Sequence, residues 1–146
     1  MAEITANETA ILGVNLLDAE AKAVVLNHAR SGSRVLQKCI QELDEYFAGK
    51  RKNFTVPLQA EGTAFQKQVW QELAKIPFGK TASYQDVAQK MGRPKAVRAV
   101  GSANSKNPHW IIVPCHRVIG ADGALIGYAG GLDRKKWLLA HEQMIA

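Results

Sequence analysis

The sequence lacks any apolar run close to the about 20 residues that a membrane-spanning helix requires. Its first ten residues, MAEITANETA, have neither the basic segment nor the continuous apolar segment of an export signal. We therefore expect no membrane association. We expect a cytoplasmic location, associated with the nucleoid in a prokaryote or within the nucleus in a eukaryote.

Cysteine is scarce, with only Cys39 and Cys115 in 146 residues. A chain of this length with 47% hydrophobic residues can bury a core without a disulfide, so we expect both thiols to be reduced. The sequence contains no Cys-x-x-Cys and no His-x-x-x-His, and its four histidines are scattered. These absences predict that the protein has no metal site.

Positive charge is distributed unevenly along the chain. Residues 1–60 hold seven Lys/Arg and seven Asp/Glu, whereas residues 61–146 hold twelve Lys/Arg and six Asp/Glu. The whole net charge of +6 therefore belongs to the second part. This favours a polyanionic partner, and nucleic acid over membrane, because no segment has the pattern of a basic amphipathic helix with a large apolar face.

The first part of the chain predicts a hairpin and a helix. Residues 10–28 contain two short apolar stretches around the polar break Asp18 to Lys22, which indicates a hairpin. Residues 35–47 predict a helix that stops at Gly49, with an apolar face made of Leu36, Cys39, Ile40, Leu43 and Phe47. We expect Cys39 on that face to be a small buried hydrophobe. Residues 50–62 have no helical period and indicate a linker.

The second part contains three helical patterns before residue 106. The first predicts an amphipathic helix that ends before Pro77, with Phe65, Val69, Trp70, Leu73 and Ile76 as its apolar residues. Ser83 to Asp86 has the pattern of a capping box, and Gly92 separates the helix that it opens from another helix of about Lys95 to Ser105. Two short helices joined by a Gly-containing turn in a basic region are typical of a helix-turn-helix.

The last of these helices has two unlike faces on a wheel of about 100° per residue. One face is apolar and consists of Ala96, Val97, Ala99, Val100 and Ala103. The opposite face is polar and basic and consists of Lys95, Arg98, Ser102 and Ser105. Small side chains around a single long arginine would let a nucleic-acid backbone approach closely. A solvated face without a partner is the alternative interpretation.

A thiol with reactive neighbours follows a predicted buried strand at Trp110 to Val113. Proline cannot continue a strand ladder, so we expect the chain to bend at Pro114 and to present Cys115 at a strand end. Cys115 precedes His116 and an arginine, and a lowered pKa would make such a thiol largely thiolate. Adjacent side chains of an extended chain point to opposite faces. We therefore expect a water between His116 and the thiol, and a carboxylate that orients the imidazole from behind.

Several separate motifs then occur in a fixed order. They are GTAFQ at 62–66, IPFG at 76–79, PKAVRAVG at 94–101, PCHRVIG at 114–120, GYAGG at 127–131 and WLLAHE at 137–142. Together these motifs closely resemble the O6-alkylguanine-DNA alkyltransferases, also called methylated-DNA-protein-cysteine methyltransferases. The resemblance covers nearly all of residues 61–142. It implies single-turnover, irreversible DNA repair, in which an alkyl group moves from O6 of guanine in double-stranded DNA to the protein's own cysteine. Activity on O4-alkylthymine is left open.

The resemblance assigns the chemistry to particular residues. Cys115 matches the alkyl acceptor, and His116, acting through a water and backed by Glu142, matches the relay that generates the thiolate. Asn107 matches the residue that braces the active-site turn. Tyr84 resembles the residue that crowds the phosphate 3′ to the target and donates a hydrogen bond to the flipped base.

Further residues match the DNA contacts and the base pocket of the family. Arg98 resembles the finger that fills the duplex in place of the extruded nucleotide, and Lys95 and Ser102 lie on the same face. The guanine pocket is expected to be lined by Pro114, Tyr128, Ala129 and Gly130. Some relatives have serine at position 129, so the preference for bulky groups is open. The resemblance implies no cofactor and a monomer.

The implied fold is α/β, with a small sheet-plus-helix domain at residues 1–60 and a mostly helical domain at residues 61–146. The second domain holds the helix-turn-helix and the active site. The amino-terminal part lacks the cysteine and histidine set with which some relatives bind zinc, which again predicts no metal. The basic run Arg134 to Lys136 opens the last helix, where positive charge opposes the helix dipole, and is expected to be a solvated surface. Proximity to phosphate or to the active site is the alternative.

Two other classes of function remain as alternatives. The first is a non-catalytic DNA-binding protein, either an alkyl-lesion sensor or a helix-turn-helix regulator. In the sensors the nucleophilic cysteine is replaced, typically by tryptophan, whereas position 115 here is cysteine. The second is a Cys-His hydrolase, which would leave the basic helix-turn-helix and Arg98 without a purpose.

Overall fold

A computed structural model describes residues 2–16, 34–125, 128 and 131–146. The first described element is an antiparallel hairpin of β1 (Ala2–Ala6) and β2 (Ile11–Leu16). Its turn is closed by Asn7, whose side-chain oxygen accepts hydrogen bonds from the backbone N–H groups of Thr9 and Ala10 at 2.9 and 2.7 Å. The predicted hairpin took the apolar stretch between residue 10 and Asp18 as its first strand, whereas that stretch is the second strand, β2, and β1 was missed. The second strand of the predicted hairpin lies outside the described residues.

Helix α1 (Arg34–Phe47) confirms the predicted helix, but its buried face differs from the predicted one. Ile40 and Phe47 are 44% and 38% exposed, whereas the polar residues Glu42 and Tyr46 are buried beside Cys39. Glu42 can be buried because it accepts hydrogen bonds from the backbone N–H groups of residues 55 and 56, at 2.8 to 3.1 Å. The predicted linker is therefore pinned to α1 by these contacts.

The remaining helices follow the predicted order. They are α2 (Ala64–Leu73), α3 (Tyr84–Lys90), α4 (Val97–Ser105) and α5 (Leu132–Ile145). The predicted capping box at Ser83 is present, with Ser83 Oγ accepting from Asp86 N at 2.9 Å and Asp86 Oδ2 accepting from Ser83 N at 2.9 Å. Gly92, in the turn between α3 and α4, has a φ of 72°, which is easily accessible to glycine. The helix-turn-helix is thus formed as predicted, although α4 begins two residues later than expected.

One core joins the two parts of the chain. Trp70 on α2 donates from its indole N–H to the carbonyl of Ala103 on α4 at 2.8 Å, which fixes the helix-turn-helix on α2. Strand β2 makes backbone hydrogen bonds with two later segments, from Val14 N to Pro108 O and from Ile11 N to Pro57 O, both at 2.8 Å. The amino-terminal hairpin therefore packs directly against the segment that leads to Cys115.

The segment 110–113 is buried but is not the predicted strand. It forms tight turns, in which Ile111 has a positive φ of 72°, Ile112 N donates to Trp110 O and Val113 N donates to His109 O. A short apolar run predicts that a segment is buried but does not specify its backbone conformation. Here the side-chain amide of Asn107 closes the loop. The short strands β3 (Ala82–Ser83) and β4 (Val118–Ile119) pair in parallel, and β4 begins soon after Cys115 in the chain.

Within the described ranges, no helix combines the length and the apolar character needed to cross a bilayer. The same residues include no group of three or more potential ligands that could hold a metal ion. The absence of a metal, and the domain boundary at residue 60, stay predictions.

Candidate active site

Cys115 opens a 3₁₀ turn, Cys115–Arg117, directly after Pro114, and is therefore not at a strand end. The loop that precedes this turn is braced by Asn107, whose amide Nδ2 donates to the carbonyl of Val113 at 2.8 Å and whose Oδ1 accepts from His109 N at 3.0 Å. The side chain of Asn107 thus holds both ends of the loop at residues 109–113, which leads to the thiol. Asn107 is itself buried, so these hydrogen bonds replace water that the amide would otherwise need.

Glu142 is the centre of the site's hydrogen bonding. It projects from α5, is fully buried, and accepts from His116 Nε2 at 2.7 Å. Arg117 grips the same carboxylate with two nitrogens, Nε to Oε1 at 2.7 Å and Nη2 to Oε2 at 3.0 Å. A third side chain, Tyr46 of α1, donates its hydroxyl to Oε2 at 2.6 Å.

These contacts keep Glu142 ionised and fix the tautomer of His116. Burial favours the neutral acid, but the hydrogen bonds from His116 and Arg117 outweigh it and lower the pKa of Glu142 to about 2. An ionised carboxylate can only accept, so His116 carries its proton on Nε2. Nδ1 is then unprotonated, and it has no hydrogen-bond partner among the described residues. Burial lowers the pKa of His116, so its ring is neutral at rest and can accept a proton on Nδ1.

Cys115 is a neutral thiol at rest, contrary to the lowered pKa that its neighbours suggested. Burial raises its pKa to about 11, and a hydrogen bond from Asn107 and the charge of Lys135 oppose that rise without cancelling it. The site therefore needs a base to generate the thiolate, and the neutral ring of His116 is adjacent in the chain.

The prediction that the basic run at the start of α5 is a solvated surface was wrong for Lys135, for which the alternative, proximity to the active site, holds. Its side chain is fully buried, donates to the carbonyl of Val118, and interacts electrostatically with Cys115. The other two charged residues of the run, Arg134 and Lys136, are not buried. Helix α5 buries two charged side chains, Lys135 and Glu142, on the face that it turns to the 3₁₀ turn, while its apolar residue Trp137 is 52% exposed. Because charged residues are buried and an apolar residue is exposed on this helix, the sequence pattern favoured a surface position for Lys135.

Two tyrosines lie close to the thiol. Burial raises the pKa of Tyr84, and the charge that Cys115 carries as a thiolate adds to this effect. The pKa of Tyr128 is raised for the same two reasons, and its hydroxyl is buried without a hydrogen-bond partner in the described part of the chain. Pro114 is buried, whereas Ala129 and Gly130 lie outside the described residues.

The polar face predicted on α4 is exposed. Arg98, Ser102 and Lys95 are all on the surface, and Arg93 and Lys95 line a shallow groove at the turn between the two helices. The apolar face is buried at Val100 and Ala103, but Ala99, which was assigned to it, is exposed.

Three residues at this site had no assigned role from the sequence. Arg117 was noted only as a charge near the thiol, Lys135 was assigned to the surface, and Tyr46 lies in the part of the chain that matched the family least. A weak signal for Tyr46 is the short segment YFAG at residues 46–49, which loosely resembles the amino-terminal part of the family.

Comparison with known proteins identifies the family of the chain. The family model described as "6-O-methylguanine DNA methyltransferase, DNA binding domain" matches residues 64–144, and the model described as its "ribonuclease-like domain" matches residues 2–60. The chain belongs to this family. Members that resemble it include the methylated-DNA-protein-cysteine methyltransferase of Methanosarcina acetivorans, which is 46% identical over 95% of this chain and 89% of its own length. The enzyme of that name from Mycobacterium leprae is 56% identical over 73% of this chain and 64% of its own.

Solved structures confirm the predicted fold class. The crystal structure of Mycobacterium tuberculosis OGT in complex with DNA has a TM-score of 0.87 at 40% identity, covering 99% of this chain and 88% of that one. S. pombe Atl1, solved with damaged DNA containing O6-carboxymethylguanine, has a TM-score of 0.51 at 31% identity, covering 56% of this chain and 78% of Atl1.

Proposed function

We infer that this protein repairs O6-alkylguanine in double-stranded DNA by moving the alkyl group irreversibly to the sulfur of its own Cys115. The observation that carries this proposal is a buried thiol beside a neutral histidine whose other nitrogen is held by an ionised Glu142. Two methylated-DNA-protein-cysteine methyltransferases that are 46% and 56% identical to this chain over the aligned residues support it.

The proton of the thiol passes through a water to Nδ1 of His116 in this proposal. The imidazolium that forms is stabilised by Glu142, which already accepts from Nε2. The thiolate left on Cys115 gains from the hydrogen bond of Asn107 and from the buried positive charge of Lys135. These two groups are fixed before the reaction begins, so they need no reorganisation when negative charge appears on sulfur.

The bond changes are simple. The sulfur forms a bond to the alkyl carbon, the bond from that carbon to O6 breaks, and its electron pair remains on guanine. A tyrosine hydroxyl hydrogen-bonded to the base stabilises that charge, and Tyr84 is assigned this role because it lies near Cys115. The product is a thioether, which offers water no activated bond, so one molecule repairs one lesion.

The alkylated base must leave the stack before a buried sulfur can reach it. We assign the filling of the vacated stack to Arg98, and backbone contacts to Lys95 and Ser102, because all three are exposed on the helix-turn-helix. We assign Pro114 and Tyr128 to the pocket that receives the extruded guanine; the other two expected pocket residues, Ala129 and Gly130, lie outside the described residues. All these groups belong to one chain, which supports a monomer.

A transfer assay tests this function. Wild-type protein incubated with duplex DNA containing O6-methylguanine should restore guanine, as seen by chromatography of the digested DNA. Binding to the damaged duplex with the methyl group retained would instead indicate a lesion sensor.

Replacing Arg98 with alanine should reduce transfer from duplex DNA by about tenfold to a hundredfold, because unstacking a base costs a few kcal/mol and each 1.4 kcal/mol is a factor of about ten. Transfer from free O6-benzylguanine should be nearly unchanged, since a free base needs no extrusion. Arg34→Ala, which removes an exposed arginine at the start of α1, is the matched control and should affect neither rate. Equal losses on both substrates for Arg98→Ala would contradict the role in extrusion.

A further inference from the structure

A side chain from the amino-terminal part of the chain contacts the proton relay of His116 and Glu142. Tyr46 on α1 is fully buried, and its hydroxyl donates to Oε2 of Glu142 at 2.6 Å. That oxygen is also the acceptor for Nε2 of His116 at 2.7 Å. With Arg117 Nη2 at 3.0 Å, three donors share this carboxylate oxygen, and Tyr46 is the one that comes from the amino-terminal part of the chain.

The position of Tyr46 is fixed by its surroundings. Its ring contacts Phe47, Phe54, Phe78 and His141, with centroid separations of 5.4, 5.7, 6.1 and 5.3 Å. Its carbonyl oxygen is hydrogen-bonded to Nε2 of His141 at 2.8 Å, which ties this turn of α1 to α5. The hydroxyl is thus held in one place independently of the hydrogen bond that it makes.

We propose that Tyr46 is a positioning residue that sets the basicity of His116 by sharing the Glu142 oxygen on which the imidazolium depends. This inference rests on the proposed function. A hydroxyl that donates to a carboxylate disperses its negative charge and places the positive end of an O–H dipole beside Nε2. Both effects weaken the attraction between Glu142 and a protonated His116. The tyrosine therefore keeps the resting histidine neutral and the thiol protonated.

Tyr46 acts only as a donor in this arrangement. Burial and the adjacent Glu142 raise the pKa of Tyr46 far above its ordinary value, so the phenol keeps its proton at any physiological pH. Arg117 holds both carboxylate oxygens with two nitrogens, so the carboxylate stays in place and ionised when the tyrosine hydroxyl is absent. Removing the hydroxyl should therefore change the electrostatics of the relay more than its geometry.

Other titratable and charged groups also face the relay and must be held constant in any test. They are Cys115, Arg117, Lys135, Tyr128 and His141. None of them changes in a Tyr46→Phe variant. That variant also keeps the aromatic ring and its packing.

The test is a pH titration of Cys115 in the Cys39→Ala background, so that a single thiol reacts. Rates of alkylation by iodoacetamide are measured without DNA. Tyr46→Phe should shift the apparent pKa of Cys115 downward by about one pH unit, because a hydrogen bond to a charged group is lost from Oε2 and His116 becomes the stronger base. Transfer from free O6-benzylguanine below that pKa should become about threefold to tenfold faster.

Phe54→Leu is the matched control, because it disturbs the packing against the Tyr46 ring and leaves the hydroxyl in place. It should lower the melting temperature without moving the thiol titration. An unchanged or raised thiol pKa in Tyr46→Phe would overturn the proposal. If instead the wild type fails to remove methyl groups from DNA, the proposed function fails while the titration still reports on Tyr46.

Discussion

Cys115→Ser should abolish alkyl transfer and leave DNA binding within about twofold of the wild type, because the sulfur performs the chemistry whereas the basic helices supply the contacts. Serine fills nearly the same space, but a hydroxyl holds its proton far more tightly than a thiol. The relay of His116 and Glu142 can deprotonate a thiol whose pKa is about 11. It is too weak a base to deprotonate an alcohol. Digestion of the incubated duplex measures the retained methyl group, and fluorescence anisotropy measures binding.

The second cysteine provides the control. Cys39 is also fully buried, and burial raises its pKa to about 11, so both thiols are neutral at rest. Cys39→Ala should cost some stability through a small cavity and should still accept one alkyl group. Transfer that persists in Cys115→Ser and disappears in Cys39→Ala would show that Cys39 is the alkyl acceptor and would contradict the role given to Cys115.

Glu142→Gln should destabilise the fold by about 3 to 5 kcal/mol, because it leaves the buried guanidinium of Arg117 without its counter-charge. Both oxygens of the carboxylate accept hydrogen bonds, Oε1 from Arg117 Nε and Oε2 from His116, Tyr46 and Arg117 Nη2. The side-chain amide of a glutamine at position 142 has a donor NH₂ group in place of one of these oxygens. Whichever oxygen it replaces, the NH₂ group then faces another hydrogen-bond donor. Chemical denaturation measures the loss of stability.

The same substitution should slow transfer by about tenfold or more and raise the apparent pKa of Cys115, since an amide stabilises the His116 imidazolium less than a carboxylate does. Its effect on stability should depend on pH. The folded-state pKa of Glu142, about 2, lies below the ordinary value of 4.5, so its stabilisation is present above pH 4.5 and is lost as the pH falls towards 2. The difference in stability between wild type and variant should narrow over that range.

Glu72→Gln is the matched control, because Glu72 near the end of α2 pairs at 2.9 Å with Lys75, an exposed residue just beyond the helix. A pair with an exposed partner contributes about 1 kcal/mol or less, and this variant should titrate and transfer normally. A Glu142→Gln variant as stable as Glu72→Gln, with an unchanged thiol titration, would contradict the role given to the buried carboxylate.

The sequence predicted those features that depend on local pattern. The capping box at Ser83, the glycine turn at Gly92 and the exposed Arg98 on α4 are all as expected. The family and the fold class are confirmed by the family models and the solved structures. The roles of individual site residues stay predictions, since they depend on chemistry that geometry alone does not test.

The features that the sequence did not predict are polar groups buried through long-range partners. Glu42 and Tyr46 lie on the inner face of α1, where an apolar pattern predicted Ile40 and Phe47. Their partners are 13 or more residues away, at Thr55 and Glu142, so no local pattern indicates them. Lys135 is buried for a similar reason, with its acceptor on Val118.

The intact mass of the protein after reaction with excess methylated duplex tests the central claim most directly. The reaction should stop at about one methyl group per protein, because the thioether has no hydrolytic exit and no regenerating group is involved. The product should be heavier by one methyl group, and peptide mapping should locate that group on Cys115 and not on Cys39. Sustained turnover with no change of mass would contradict self-alkylation and indicate a conventional enzyme.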